Sequence, residues 1–132
     1  MTTEQKTILV VEDDPDTLVY FRTLLEDHGY RVVTAQDAAA ALNLVSEGRP
    51  DLITLDINLP ESSADASGVK FYRWMKESEE WKHIPVIIVT GMMREFQRFI
   101  STRRQVPPPE GYLSKPIQQA DLLAEVDRHL AA

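Results

Sequence analysis

Residues able to do phosphate or metal chemistry fall in this chain directly after apolar runs. Ile8-Leu9-Val10-Val11 ends in Glu12-Asp13-Asp14, and Leu52-Ile53-Thr54-Leu55 ends in Asp56. Val86-Ile87-Ile88-Val89 ends in Thr90, and Tyr112-Leu113 runs into Ser114-Lys115-Pro116. Each run reads as a buried strand, so an acid pair, an acid, a hydroxyl and an ammonium each sit at a strand's carboxyl end. In an open parallel sheet, ligands bind in the crevice outside those ends, where the strand order reverses. Taken singly, these residues have plainer readings as helix caps, solvated turns or strand ends. Together, with the first and third strands adjacent, Glu12, Asp13 and Asp56 crowd negative charge into one crevice. That crowding is costly unless a divalent cation or protons are taken up. Hard oxygen ligands with open positions suit Mg²⁺ or Mn²⁺. A carboxylate held this way can attack phosphorus and form an acyl phosphate. Lys115 would offset charge on the transferring group, and the Thr90 hydroxyl could donate to a phosphoryl oxygen.

The elements that position these residues alternate between strand and helix five times. The expected strands are Thr7–Val11, Arg31–Ala35, Leu52–Leu55, Val86–Val89 and a short one around Gly111–Leu113. A helix over Pro15–Asp27 is expected, capped by Asp14, with Pro15 at its first position and Leu18, Phe21 and Leu25 on one face. Gly29 reads as its stop. Asp37 caps an Ala-rich helix that runs to about Glu47, before Gly48 and Pro50. A third helix starts near Gly68, with Phe71, Trp74 and Met75 at core-facing spacing. Helical patterns follow over Glu95–Arg103, ended by Pro107-Pro108-Pro109, and over Gln119–Leu130, with Leu122, Leu123, Val126 and Leu130 on one face. Five βα units with unbroken apolar strands imply an α/β, doubly wound, five-stranded parallel sheet of flavodoxin-like order 2-1-3-4-5, with helices on both faces.

Bulk composition excludes several function classes. The 132 residues form one expected domain, 43% hydrophobic and 27% charged, which is ordinary globular composition. A net charge of −7 argues against direct nucleic-acid binding, which needs a clustered basic surface. No cysteine is present, which removes disulfides and thiolate chemistry. No signal-peptide core or membrane-length apolar stretch occurs, so a cytoplasmic location without membrane association is expected.

The runs ILVVEDDPD, LITLDINLP, VIIVTG and GYLSKP resemble the receiver domain of two-component response regulators, in order and spacing, across about Lys6 to Leu130. The resemblance implies that Glu12 and Asp13 are the acidic pair and Asp56 the phosphoacceptor. It implies that Thr90 is the switch hydroxyl, Lys115 the family's lysine, and the backbone carbonyl of Asn58 part of the metal site. Tyr112 falls where the family has an aromatic that moves between exposed and buried states. The implied function is a phosphorylation-dependent, Mg²⁺-dependent signalling module, and not an enzyme beyond its own phosphorylation and dephosphorylation chemistry. It would accept its phosphoryl group from a sensor histidine kinase or histidine phosphotransfer protein. It would then signal to an effector protein or effector domain through the surface of the Glu95–Arg103 segment, fifth strand and last helix.

Two other classes compete. A haloacid-dehalogenase-like phosphohydrolase also uses a strand-end aspartate and Mg²⁺, but wants a second acid where this chain has Asn58. An interaction module independent of phosphorylation would not need the intact acids. The chain departs from the family pattern in an apparent insertion of about four residues before Gly68, in Gly91 directly after Thr90, in the triple proline and in Ile117. From these departures the helix after Gly91 is expected to be short or displaced, leaving Met92, Met93, Phe96 and Phe99 partly open to a partner. Arg94, Arg98, Arg103 and Arg104 give that region a local basic character. Trp74 and Trp81 read as packing residues, and His28, His83 and His129 lie away from the crevice.

Overall fold

The computed structural model describes residues 5–57, 68–91 and 108–130. Asn58, the Glu95–Arg103 segment, Arg94, Arg98, Arg103 and Arg104, and Met92, Met93, Phe96 and Phe99 lie outside the described residues, so the expectations placed on them do too.

The strands are β1 (Thr7–Val11), β2 (Arg31–Ala35), β3 (Leu52–Asp56), β4 (Val86–Thr90) and β5 (Gly111–Ser114). All pair in parallel, in the order β2-β1-β3-β4-β5. The described helices are α1 (Pro15–Asp27), α2 (Ala38–Gly48), α3 (Gly68–Glu77) and α4 (Gln119–Leu130). Alternate residues of each strand feed two separate cores. Leu9, Val11, Ile53, Leu55, Val86 and Ile88 pack beneath α2 and α3. Ile8, Val10, Leu52, Ile87 and Val89 pack beneath α1 and α4, against Phe21, Leu25, Leu122 and Val126. Burying each such side chain contributes roughly 1.5–3 kcal/mol, so the central strands β1 and β3 are anchored from both sides. That anchoring gives the crevice a rigid floor.

The helix starts follow their caps. The Asp14 carboxylate accepts from Thr17 N–H at 3.0 Å and Thr17 Oγ1 at 2.6 Å, and Pro15 opens α1. Asp37 accepts from Ala40 N–H at 2.8 Å at the start of α2. Gly29 adopts φ +98°, the left-handed turn expected of a helix stop.

Several expectations are corrected. Asp56 and Thr90 are the last residues of their strands rather than the first beyond them, because the ladder continues: Asp56 is in register with Val89, and Thr90 with Ser114. The α2 helix includes Gly48, and its left-handed cap is Arg49 at φ 43°, a residue type that rarely adopts it. Trp74 is not a core residue. At about 100° per residue, Phe71, Tyr72, Met75 and Lys76 gather on the inner side of α3, and Trp74 falls at its outer edge, 36% exposed. There it lies against Trp81, with ring centroids 5.0 Å apart. Trp81 is the half-buried member, packed on the core beneath α3.

Lys76 was not foreseen as a core residue. Its ammonium donates to both Glu110 oxygens at 2.7 and 2.8 Å, and to the Ile84 carbonyl at 3.4 Å. Glu110 Oε1 also accepts from Val86 N–H at 2.8 Å, and Glu110 N–H donates to the Val86 carbonyl at 3.1 Å. One glutamate thus closes the start of the β4–β5 ladder and ties it to α3.

Candidate phosphoacceptor and metal site

The chain passes from β2 through α2 to β3 on the far side of β1, so the order reverses between β1 and β3. The acids of interest emerge at that point. Glu12 follows β1, and its N–H donates to the Ala35 carbonyl at 2.9 Å, which fixes the turn where its side chain departs. Asp56 ends β3, with Ile57 N–H bonded to the Val89 carbonyl at 3.2 Å just beyond it. Both carboxylates are buried, each about 1% exposed, and Asp13 beside them is more accessible. One carboxylate oxygen from each of Glu12, Asp13 and Asp56 lies within 4.8 Å of the other two. Asp14 is a helix cap and stands outside this group.

Lys115 enters from the opposite wall. Its backbone N–H donates to the Thr90 carbonyl at 2.9 Å, which joins the turn after β5 to the end of β4, and the Lys115–Pro116 peptide is cis. Its Nζ reaches Asp56 Oδ2 at 3.1 Å and Glu12 Oε1 at 3.3 Å. Thr90 is fully buried at the end of β4. Tyr112, in register with Ile88, is half-buried and packs on the core beneath α3; burial pushes its phenol above the ordinary value. The sequence-expected residues Glu12, Asp13, Asp56, Thr90 and Lys115 therefore come to one end of the sheet, with Tyr112 two rungs below Thr90.

The charges do not balance. With all three carboxyls ionised they face one ammonium, an excess equal to the charge of a divalent cation; without such a cation, one of them must hold a proton instead. Two unit charges 4.8 Å apart repel by roughly 3 kcal/mol at an effective dielectric of about 20. Burial, reinforced by Asp56, pushes the Glu12 carboxyl up to about 8, and Lys115 only partly opposes this. Burial works against the Lys115 ammonium, but Asp56 and Glu12 more than offset it and raise its pKa. Glu12 Oε1 is also buried without a hydrogen bond, although Lys115 stands at ion-pair distance. An all-oxygen donor set, a two-charge excess and a carboxylate oxygen without a donated hydrogen bond fit a hard divalent cation.

Beside the crevice, a groove of about 500 Å³ runs between α1 and the turn after β5, lined by Thr17, Tyr20, Phe21, Lys115, Pro116 and Ile117. Sequence reasoning missed this groove, because it depends on how α1 lies against a turn about a hundred residues away. It read Gly68 only as a helix start. A Cβ there would lie 3.0 Å from the Asp56 carbonyl oxygen, a proximity that no local pattern reveals.

Comparison with known proteins agrees with this geometry. The sequence model of the response regulator receiver domain matches residues 8–127. The polar-differentiation response regulator DivK of Brucella anthropi is 35% identical over 125 residues, covering 95% of this chain and 96% of that protein. The chemotaxis response regulator CheY4 of Vibrio cholerae superposes with a TM-score of 0.81 at 26% identity, covering 96% of this chain and 100% of that one. The receiver domain of a sensor histidine kinase from Pseudomonas aeruginosa also has a TM-score of 0.81 at 26% identity, covering 98% of this chain and 100% of its own. That structure carries a magnesium ion coordinated in its active-site cleft.

Proposed function

The chain belongs to the response regulator receiver domain family, and from that premise we propose that Asp56 is the residue that takes up the phosphoryl group. The observation that carries the assignment is the position of Asp56 at the switch point, buried, 3.1 Å from the Lys115 ammonium and within 4.8 Å of two further carboxylates. The family match over residues 8–127 favours this reading over a dehalogenase-like hydrolase.

The Asp56 carboxylate attacks phosphorus on the donor, a phosphohistidine of a sensor kinase or phosphotransfer protein. An O–P bond forms, the P–N bond breaks, and the donor imidazole leaves with the electron pair and is protonated. Asp13 and Asp56 would hold Mg²⁺ or Mn²⁺, with Glu12 reaching it through water and the Asn58 carbonyl supplied as the family resemblance implies. The ion, when bound, offsets charge on the transferring group. Lys115 stands against Asp56 before transfer, and its ammonium is free to pair with a phosphoryl oxygen once the carboxylate charge is spent. The Thr90 hydroxyl, at the end of the neighbouring strand, donates to another. The groove beside Lys115 gives the donor an approach, with Val19 and Tyr20 exposed on the adjacent face of α1.

The acyl phosphate brings about 1.5 to 2 negative charges to the strand ends. Thr90 and Tyr112 lie on the same face of the β4–β5 pair, so a shift of Thr90 toward the phosphoryl group changes the space beside Tyr112. Repacking of Tyr112 then passes the change to an effector. Among the described residues no helix is long and apolar enough to cross a membrane. Incubation with acetyl phosphate and Mg²⁺, followed by intact-mass measurement, tests the assignment. One phosphoryl group is expected on the wild-type chain and none on Asp56→Asn or with a chelator present. Equal labelling of the variant would overturn it.

A further inference from the structure

We infer that Gly68 is a positioning residue for phosphoryl transfer: the lack of a side chain there lets α3 begin directly against the backbone that carries Asp56. The inference rests on Asp56 as the acceptor and extends it to a residue that touches neither phosphate nor metal.

A Cβ at position 68 would lie 3.0 Å from the Asp56 carbonyl oxygen, 3.2 Å from Ile57 Cα and 3.2 Å from the Ile57 carbonyl oxygen. All three are backbone atoms, so no side-chain rotation relieves the contact. Gly68 does not have a left-handed φ, so the requirement is for space and not for an unusual conformation. Gly48 and Gly91 make the contrast, since a Cβ at either would meet nothing within 4 Å.

The strain of an added methyl group has few places to go. The α3 helix is held down by buried Phe71, Tyr72 and Met75, and by the Lys76–Glu110 pair at its far end. The strand side yields at Asp56, the last rung of β3, and at Ile57 just beyond it, where Ile57 N–H holds the Val89 carbonyl at 3.2 Å. Asp56 carries the nucleophilic carboxylate, and its placement against Lys115 at 3.1 Å depends on that rung. Displacements well below 1 Å are costly where reacting groups are held in line, and about 1 Å costs on the order of a hundredfold in rate.

The test compares Gly68→Ala with Gly48→Ala in the full chain, using acetyl phosphate with saturating Mg²⁺. Circular dichroism and thermal melts establish that both are folded. Gly68→Ala is expected to lower the phosphorylation rate constant about tenfold, with the KM for acetyl phosphate moved less than about twofold. The ¹⁹F resonances of its beryllofluoride adduct should shift, which a purely structural role would not produce in a folded chain. Gly48→Ala should match the wild type in all three readouts. Wild-type rate and ¹⁹F spectrum in Gly68→Ala would overturn the inference. So would a Gly68→Ala chain that fails to fold, or one that loses only labelled amplitude at an unchanged rate, because the glycine would then serve folding alone. If the wild-type chain itself takes no phosphoryl group, the acceptor assignment fails, and this inference with it.

Discussion

Two lysines are drawn into this molecule against carboxylates, at opposite ends of the sheet, and their surroundings differ in one respect that separates structure from function. Lys76 meets one glutamate, Glu110, through two short contacts, and Glu110 also accepts a backbone N–H from Val86. Charge is balanced there and the polar atoms are satisfied. Lys115 meets two buried carboxylates with a third nearby, and one Glu12 oxygen accepts no hydrogen bond. The first arrangement is complete as it stands. The second is complete only when something bearing positive charge joins it. Buried ion pairs by themselves say little about function, and it is the imbalance that marks the site.

The sharpest way to break the comparison is to remove Asp56. Asp56→Asn should abolish phosphorylation outright and yet raise stability in the absence of metal, by on the order of 1 kcal/mol, because Glu12 and Lys115 are then left as a matched pair. Urea unfolding in a chelating buffer reads this, and a variant less stable than wild type would contradict the account.

Removing a partner from the balanced pair should do the reverse. Glu110→Ala leaves the Lys76 ammonium buried without its carboxylate and should cost about 3 kcal/mol. Lys76→Met should cost less, since Glu110 is 35% exposed and can rehydrate. Neither should change the extent of Asp56 labelling in the folded protein by more than about twofold, on the additivity expected of distant sites.

Much of the crevice was legible in the sequence and the Lys76–Glu110 pair was not. Strand ends carry their own signal, because unbroken apolar runs stop where polar side chains begin, and that placed Glu12, Asp56 and Thr90. Caps are local too, and Asp14, Asp37 and Gly29 behave as expected. Lys76 reads as one more charge on an amphipathic helix, because its partner lies 34 positions away beside β5. Trp74 was misplaced for a related reason. Its spacing from Phe71 and Met75 is helical, but Tyr72 and Lys76 shift the buried arc of α3 away from it. The left-handed Arg49 has no residue-type signal at all.

The acidic triplet offers a finer comparison. Asp13→Asn should weaken Mg²⁺ binding by at least about tenfold, as expected when a ligand carboxylate is lost. Asp14→Asn should leave it nearly unchanged, because asparagine caps a helix about as well as aspartate. Calorimetric titration separates the two, and similar losses would mean that the register of the triplet is wrong.

A pH slope offers a further test. In the folded, metal-free chain Glu12 keeps its proton up to about 8, whereas the ordinary value is 4.5. Over that interval the folded state binds more protons than the unfolded one, so stability falls as pH rises. The decline should be on the order of 1 kcal/mol or more between those limits, and Glu12→Gln should flatten it. A wild-type stability that climbs over the same range would refute the assignment of that proton to Glu12.

The measurement that bears most directly on the imbalance is calorimetric titration of Mg²⁺ into the wild-type chain, Asp56→Asn and Glu110→Gln under identical conditions. The account predicts one ion bound by the wild type, binding weakened by at least about tenfold in Asp56→Asn, and wild-type binding in Glu110→Gln. Undiminished binding in Asp56→Asn, or an equal loss in Glu110→Gln, would contradict it.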